Sequence, residues 1–352
     1  MPTLLCEKGA GVIINNIAVP GFPNRFYTLY IPADVNVQQV IIGLHGGGGD
    51  SGTFAAQIGL IKVNSEEKTG FVRWKPLQVF ATAVALLNGS ACNGTVSEFN
   101  PNGLNTFSPA LPNGIPTWAS YDFFAQDDDK AVLEAMCGAL MARFDVVGCN
   151  LGGHSLGAIC GQMIYQRPQK LRPDSSTQSI WRRFMSLCGP RAIDCPLSET
   201  YTPGPGEIIA KRPYFQQYGG LDENLCTFNG PAGAGSHFYD AEWLATTANF
   251  GPLTYRFPLG GKRAGAFADL QTIVDQWNTL YGLPPETVQI SDGVTTPLII
   301  GEKTLWSYAS GRIQLQVNTA ASHKPSTFAR GQNRYTLAEW LIWIAATPVN
   351  PP

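Results

Sequence analysis

Apolar positions along the chain fall into short runs separated by glycine- and proline-rich punctuation. Residues 25–31 (RFYTLYI) are aromatic and β-branched, which predicts a strand. Residues 40–44 (VIIGL) form a brief apolar run that passes straight into HGGGGDSG at 45–52, the behaviour of a buried strand ending in a functional loop. A further central strand is expected over 79–87 (VFATAVALL). Asp127, Asp128 and Asp129 stand before AVLEAMCGALMARF, where apolar residues at helical spacing and Arg143 near the end predict a helix. Residues 146–152 (VVGCNLG) read as a strand and 157–166 (GAICGQMIYQ) as a helix with almost no polar face, stopped at Arg167-Pro168. Later strands are expected over 183–187, 212–218, 304–309 and 312–317, a helix over 264–277, and a strongly apolar closing helix over 335–346.

Strands alternating with helices predict an α/β fold with a mostly parallel central sheet covered by helices on both faces. Its site should lie beyond the C-terminal ends of the strands. No repeat is evident, and residues 1–352 read as one domain with two excursions. One is a loop at 88–120 rich in Asn, Gly, Pro and Ser, and the other is an aromatic-rich stretch at 228–260.

Charge narrows the partners. Lys plus Arg total 24 and Asp plus Glu total 26, and the charged fraction is only 14%. No basic block argues for nucleic acid, and no stretch reaches membrane-spanning length without breaks. Eight cysteines (Cys6, Cys92, Cys137, Cys149, Cys160, Cys188, Cys195 and Cys226), an even number, fit disulfides in an oxidising compartment, secreted or periplasmic. Buried thiols are the plainer alternative. No CxxC pair is present, so no metal is expected.

Gly153-His154-Ser155-Leu156-Gly157 matches G-x-S-x-G between an expected strand and an expected helix. In that context Ser155 is the candidate nucleophile, and the N–H of Leu156 a candidate oxyanion donor. A second donor should come from the glycine loop at 45–49, with Gly47 preferred over Gly46 or Gly48. Four histidines are available as base: His45, His154, His237 and His323. His154 adjoins the serine, but that position should point it away from the site, and His45 belongs to the glycine loop. The chain order Ser, acid, His leaves His237 and His323. His323 is favoured because it precedes the last helix. Asp222, directly after the strand expected at 212–218, is the candidate acid, with Glu223 and Asp292 as rivals. Trp118, Trp243, Phe250, Tyr255 and Trp306 are candidate walls of a substrate cleft. The expected partner is a polymeric or small carbonyl or ester substrate, handled by a monomer without any cofactor.

These stretches resemble the secreted α/β-hydrolases that include polyhydroxybutyrate depolymerases and feruloyl and acetylxylan esterases. The resemblance rests on RFYTLYIP (25–32), IIGLHGGGG (41–49), DDDKAVLEAMCGALMARF (127–144), GGHSLGA (152–158), QYGGLDEN (217–224) and ASHKPST (321–327). It implies the α/β-hydrolase fold, with nucleophile, acid and base at Ser155, Asp222 and His323 and the oxyanion loop at 45–49. The chain departs from the pattern in two places. Family members often carry a bulkier residue or Cys where Gly47 stands, and Ser322-His323-Lys324-Pro325 replaces the usual Gly-His-Thr-Trp run. Within the group the combination with an even cysteine set resembles the branch that cuts β-diketone units of an oxidised polymer.

Overall fold

The computed structural model describes residues 4–5, 10–46, 49–63, 70–88, 90–91, 116–117, 128–189, 202–221, 262–287, 298–300, 303–326 and 335–350. Ten strands form the main sheet: β1 (Gly11–Val19), β2 (Phe22–Pro32), β3 (Gln39–Leu44), β4 (Thr82–Leu87), β5 (Cys149–His154), β6 (Trp181–Leu187), β7 (Tyr214–Leu221), β8 (Leu298–Ile300), β9 (Lys303–Tyr308) and β10 (Ile313–Ser322). Their spatial order is β1-β2-β4-β3-β5-β6-β7-β10-β9-β8. β4, β3, β5, β6, β7 and β10 run parallel to one another. β2 is antiparallel to both β1 and β4, and β9 is antiparallel to both β10 and β8. An antiparallel second strand with the third and fourth exchanged is the order of the α/β-hydrolase fold, and the chain has that fold.

The strand residues alternate between two faces, and each face is covered. Val40, Ile42 and Leu44 of β3 and Ala83, Ala85 and Leu87 of β4 lie in one core. That core is closed by helix α3 (Asp128–Phe144) through Leu133, Met136 and Leu140, and by α5 (Lys262–Tyr281) through Ile273 and Trp277. Ile41, Val84 and Leu86 point to the other core. Its cover is α1 (Ser51–Gln57), α2 (Trp74–Val79) and α6 (Thr336–Ala346), through Phe54, Leu77, Trp340 and Leu341. Continuous apolar strands are thus explained by burial on both sides. Helix α4 (Leu156–Gln166) follows β5 directly. None of the described helices is long and apolar enough to cross a membrane.

Four expectations change. The run at 79–87 divides: Val79 ends α2, the chain reverses through Ala81 at φ 44°, and the strand begins only at Thr82. β5 starts at Cys149 rather than at 146, because Val146 N–H still caps α3 through the Met141 carbonyl. Trp306 is no cleft wall. It is 3% exposed on β9 and packs into the core that Trp277 of α5 also joins. Cys137, Cys149, Cys160 and Cys188 are buried thiols, not half-cystines. Cys137 Sγ points at the Ile180 carbonyl (3.7 Å) and Cys149 Sγ at the Cys137 carbonyl (3.9 Å), so these sulfurs serve as small apolar packing with weak hydrogen bonds. Cys6, Cys92, Cys195 and Cys226 lie outside the described residues.

A polar bridge joins the closing helix to the sheet. Trp340 Nε1 donates to Gln217 Oε1 at 2.7 Å, and Gln217 Nε2 donates to Gln316 Oε1 at 2.6 Å, tying α6, β7 and β10 together. Gln217 is fully buried, so removing its donor leaves an acceptor without water. Trp340→Phe is therefore expected to cost about 1–3 kcal/mol. Urea unfolding should show a lower midpoint at unchanged m-value.

Candidate functional site

The C-terminal ends of the parallel strands gather the candidate residues at one edge. His45 and Gly46 follow β3, Ser155 follows β5, Cys188 follows β6, and His323 follows β10. Gly153 is in register with Leu44 on one side and Ser186 on the other. Leu221, at the end of β7, pairs with Ser322, the residue before His323.

Ser155 is half-buried and has φ 52°, the left-handed region that a residue with a Cβ seldom occupies. Its N–H donates to the Leu187 carbonyl at 2.9 Å, so the bend is fixed to β6. The glycines of the motif have a steric reason. A Cβ at Gly153 would stand 2.4 Å from the carbonyl carbon and oxygen of Gly157, and one at Gly157 would stand 2.5 Å from the His45 carbonyl oxygen. Strand, serine and helix can meet this tightly only with both side chains absent. Because α4 begins at Leu156, the N–H of that residue is among the donors a helix start leaves unpaired within the helix.

Gly46 comes close to the serine: a Cβ there would lie 3.3 Å from Ser155 Cβ and 2.7 Å from His154 Nδ1. Its carbonyl accepts from His45 Nδ1–H at 2.7 Å and from Gly49 N–H at 3.1 Å, which folds 46–49 into a turn. Burial pushes the His45 imidazole below its usual range, consistent with a neutral ring serving that turn. Gly47 lies outside the described residues, so Gly46 is the loop residue whose approach is defined.

His154 departs most from expectation. Its side chain does not turn away from the site; Nε2–H donates to the His323 backbone carbonyl at 2.7 Å. The two rings sit 4.9 Å apart, tilted by 49°. Adjacent strands are about 4.8 Å apart, so β5 and β10, separated by β6 and β7, stand about 14 Å apart. A 2.7 Å contact thus requires the chain after β10 to fold back across two strand ends, which brings His323 beside the residue preceding Ser155. His323 is 8% exposed. One ligand-type atom from each of His154, Cys188 and His323 lies within 4.8 Å of the others, a set of two imidazoles and one thiol that could contact a thiophilic cation, although His154 Nε2 is committed to the carbonyl. Composition gave no sign of the Cys188 contact; the strand order does.

Beneath the site, Gln162 Nε2 of α4 reaches Ser186 Oγ (3.1 Å), the Gly189 carbonyl (2.8 Å) and Gln216 Oε1 (3.1 Å). This buried amide fastens the helix behind Ser155 to β6 and β7. The sequence had shown it only as one polar residue on an apolar helix. Asp222, Glu223, His237, Asp292, Trp118, Trp243, Phe250 and Tyr255 lie outside the described residues, as do most of the two excursions.

No family model matches the chain, and no curated protein matches it. Among solved structures it is similar to the esterase PE8, at 12% identity over 96% of this chain and 99% of that one with a TM-score of 0.43. It is also similar to an acetyl xylan esterase from Aspergillus awamori, at 9% identity over 95% and 100% with a TM-score of 0.47. A dienelactone hydrolase from Anabaena variabilis aligns at 13% identity over 60% of this chain and 76% of its own, with a TM-score of 0.32.

The elbow yields two predictions. Gly153→Ala should lower stability by about 1–3 kcal/mol, since the new methyl meets backbone that must move; thermal unfolding reads the loss. The second concerns acid. Burial, and then the like charges of His323 and His45, hold the His154 imidazole down at about 3. An unfolded chain would titrate near 6.5. Between those values the unfolded state binds a proton that the folded state refuses, so stability falls as pH drops from about 6.5 toward 3, by up to about 1.4 kcal/mol per unit for this group. Unfolding free energies measured across that window should show a shallower pH slope in His154→Gln, whose amide can still donate to the His323 carbonyl.

Proposed function

We propose that the chain is a serine hydrolase acting on carboxylic esters, with Ser155 as nucleophile, His323 as general base and Asp222 as the acid that orients it. The left-handed backbone of Ser155 at a strand-to-helix bend carries this reading, because such a strained conformation in a non-glycine residue is retained where function uses it. His323, held by its carbonyl to His154, supports the choice of base. Asp222 follows Leu221, the register partner of Ser322, and that pairing supports the choice of acid.

In this mechanism His323 removes the Ser155 hydroxyl proton as Oγ attacks the ester carbonyl. The oxyanion receives the Leu156 N–H and an N–H from the turn beginning at Gly46, the place assigned to Gly47. His323 returns the proton to the departing alcohol, leaving an acyl-serine. Water, deprotonated by the same imidazole, then releases the carboxylic acid. The chemistry calls on no cofactor.

A finer reading follows from the sequence resemblance: hydrolysis of β-diketone units in oxidised polyvinyl alcohol by a secreted or periplasmic enzyme. The acyl-serine step is the same, except that a ketone-stabilised carbanion departs and takes the proton. Polyester depolymerisation is the corresponding ester reading for a polymer. In either case Trp118, Trp243, Phe250 and Tyr255 are the proposed apolar contacts.

Ser155→Ala should retain wild-type unfolding behaviour while losing turnover and fluorophosphonate labelling; near-normal turnover in that variant overturns the assignment. A short p-nitrophenyl ester, a simple β-diketone and polyhydroxybutyrate film, assayed side by side, separate the substrate classes. Cleavage of the ester with an inert diketone is the outcome expected here.

A further inference from the structure

We propose that the opposite end of the sheet carries a second site, an oxyanion-binding pocket built on Arg172, Arg182 and Arg212. The cavity has a volume of about 320 Å³, enough for a small ligand. Val147 lies just before β5, Trp181 and Arg182 open β6, Arg212 lies just before β7, and Asn350 lies in the segment after α6; all line it. These are the N-terminal strand ends. Six residues of β5 at about 3.3 Å each separate them from Ser155 by about 20 Å.

Guanidinium groups at this end fall into two kinds. Arg183 donates through Nε to the Thr347 carbonyl at 2.9 Å, and Arg312 donates through Nη1 to the Ser310 carbonyl at 3.2 Å; both are committed to holding backbone. Arg182 and Arg212 differ. Among the described residues neither forms a salt bridge. Arg172 brings a third positive charge near both, and its own partner, Asp174, is mostly exposed. Three guanidiniums around one cavity, facing a single rim carboxylate, leave a positive excess that an anion would offset.

Two wall groups point to the same ligand independently of charge. Arg212 is 5% exposed, yet its Nε–H has no acceptor. Trp181 is fully buried, and its Nε1–H likewise has none. Buried donors are ordinarily satisfied. Two unsatisfied ones on the wall of a cavity call for an acceptor inside it. Arginine forks suit the paired oxygens of phosphate and carboxylate groups, so the ligand class is a small multivalent oxyanion. Burial, followed by the neighbouring Arg172, depresses the pKa of Arg182, and it does so with Arg212 as well; a bound anion would relieve both effects.

Calorimetric titration of the whole chain with inorganic pyrophosphate, and separately with citrate, tests this against chloride at matched ionic strength. Saturable binding of at least one of the two is expected, with a matching rise in Tm. Arg182→Gln, at a half-buried position, should weaken it about tenfold or more while leaving ester turnover unchanged. Arg212→Gln provides a second variant if the first fails to fold. Preference between the probes separates phosphate from carboxylate recognition. Absence of saturable heat with either probe at millimolar concentration, or equal affinity in a folded variant, overturns the proposal.

Discussion

A single left-handed residue sets the geometry of this molecule's functional edge. Ser155 holds φ 52° at a cost of about 1–3 kcal/mol, and three local features hold it there. Gly153 and Gly157 have no side chains to collide, the Ser155 N–H is bonded to β6, and α4 is anchored from below by Gln162. The bend lifts the hydroxyl out of the line of β5 while the helix start supplies donors beside it. Strain and electrostatics therefore converge on one atom: the backbone that raises Oγ also places the N–H groups that would meet charge developing next to it.

The second requirement is that a loop three strand spacings away come back to that atom. The hydrogen bond from His154 to the His323 carbonyl achieves this without occupying the His323 ring. It also explains why the residue before the serine is a histidine. A neutral imidazole with Nε2–H donating is a rigid spacer that suits a buried carbonyl, and burial keeps it neutral over the physiological range. His45 plays a comparable part on the other flank by bonding the Gly46 carbonyl. Two neutral histidines thus frame the bend, one fixing the base segment and the other the glycine turn.

Much of this was legible in the sequence because local pattern and tertiary environment agreed. The run 40–44, the helix after Asp127–Asp129 and the closing helix are either continuously apolar or strongly periodic, and each is buried as its pattern implies. Where pattern and environment diverged, sequence reasoning failed for identifiable reasons. Residues 79–87 are apolar at both helical and strand spacing, and only the reversal at Ala81 divides them. Trp306 looked available because a lone aromatic on an outer strand carries no sign of the helix that covers it. The cysteine count suggested disulfides, but Cys137 and Cys149 face each other across the interface between α3 and β5, where a thiol packs as a small apolar group. His154 was set aside on chain adjacency, and its contact depends on a loop 169 positions later.

The two ends of the sheet differ for a physical reason. In a parallel sheet every strand's C-terminal end faces the same way, so loops and helix starts there can combine side chains with unpaired N–H groups. The N-terminal ends offer no such donors, and charge at that end has to come from side chains. Arginine fits that place because its long apolar stem can pass through the core margin while its head reaches polar partners. Arg183 follows this logic by meeting the carbonyl of Thr347, where α6 has ended. Arg182 and Arg212 present the same chemistry without a comparable partner, leaving positive charge and two buried N–H donors around one cavity. Repulsion of this kind disfavours folding unless it is screened or neutralised, and a cavity that concentrates it is better explained by a ligand than by packing.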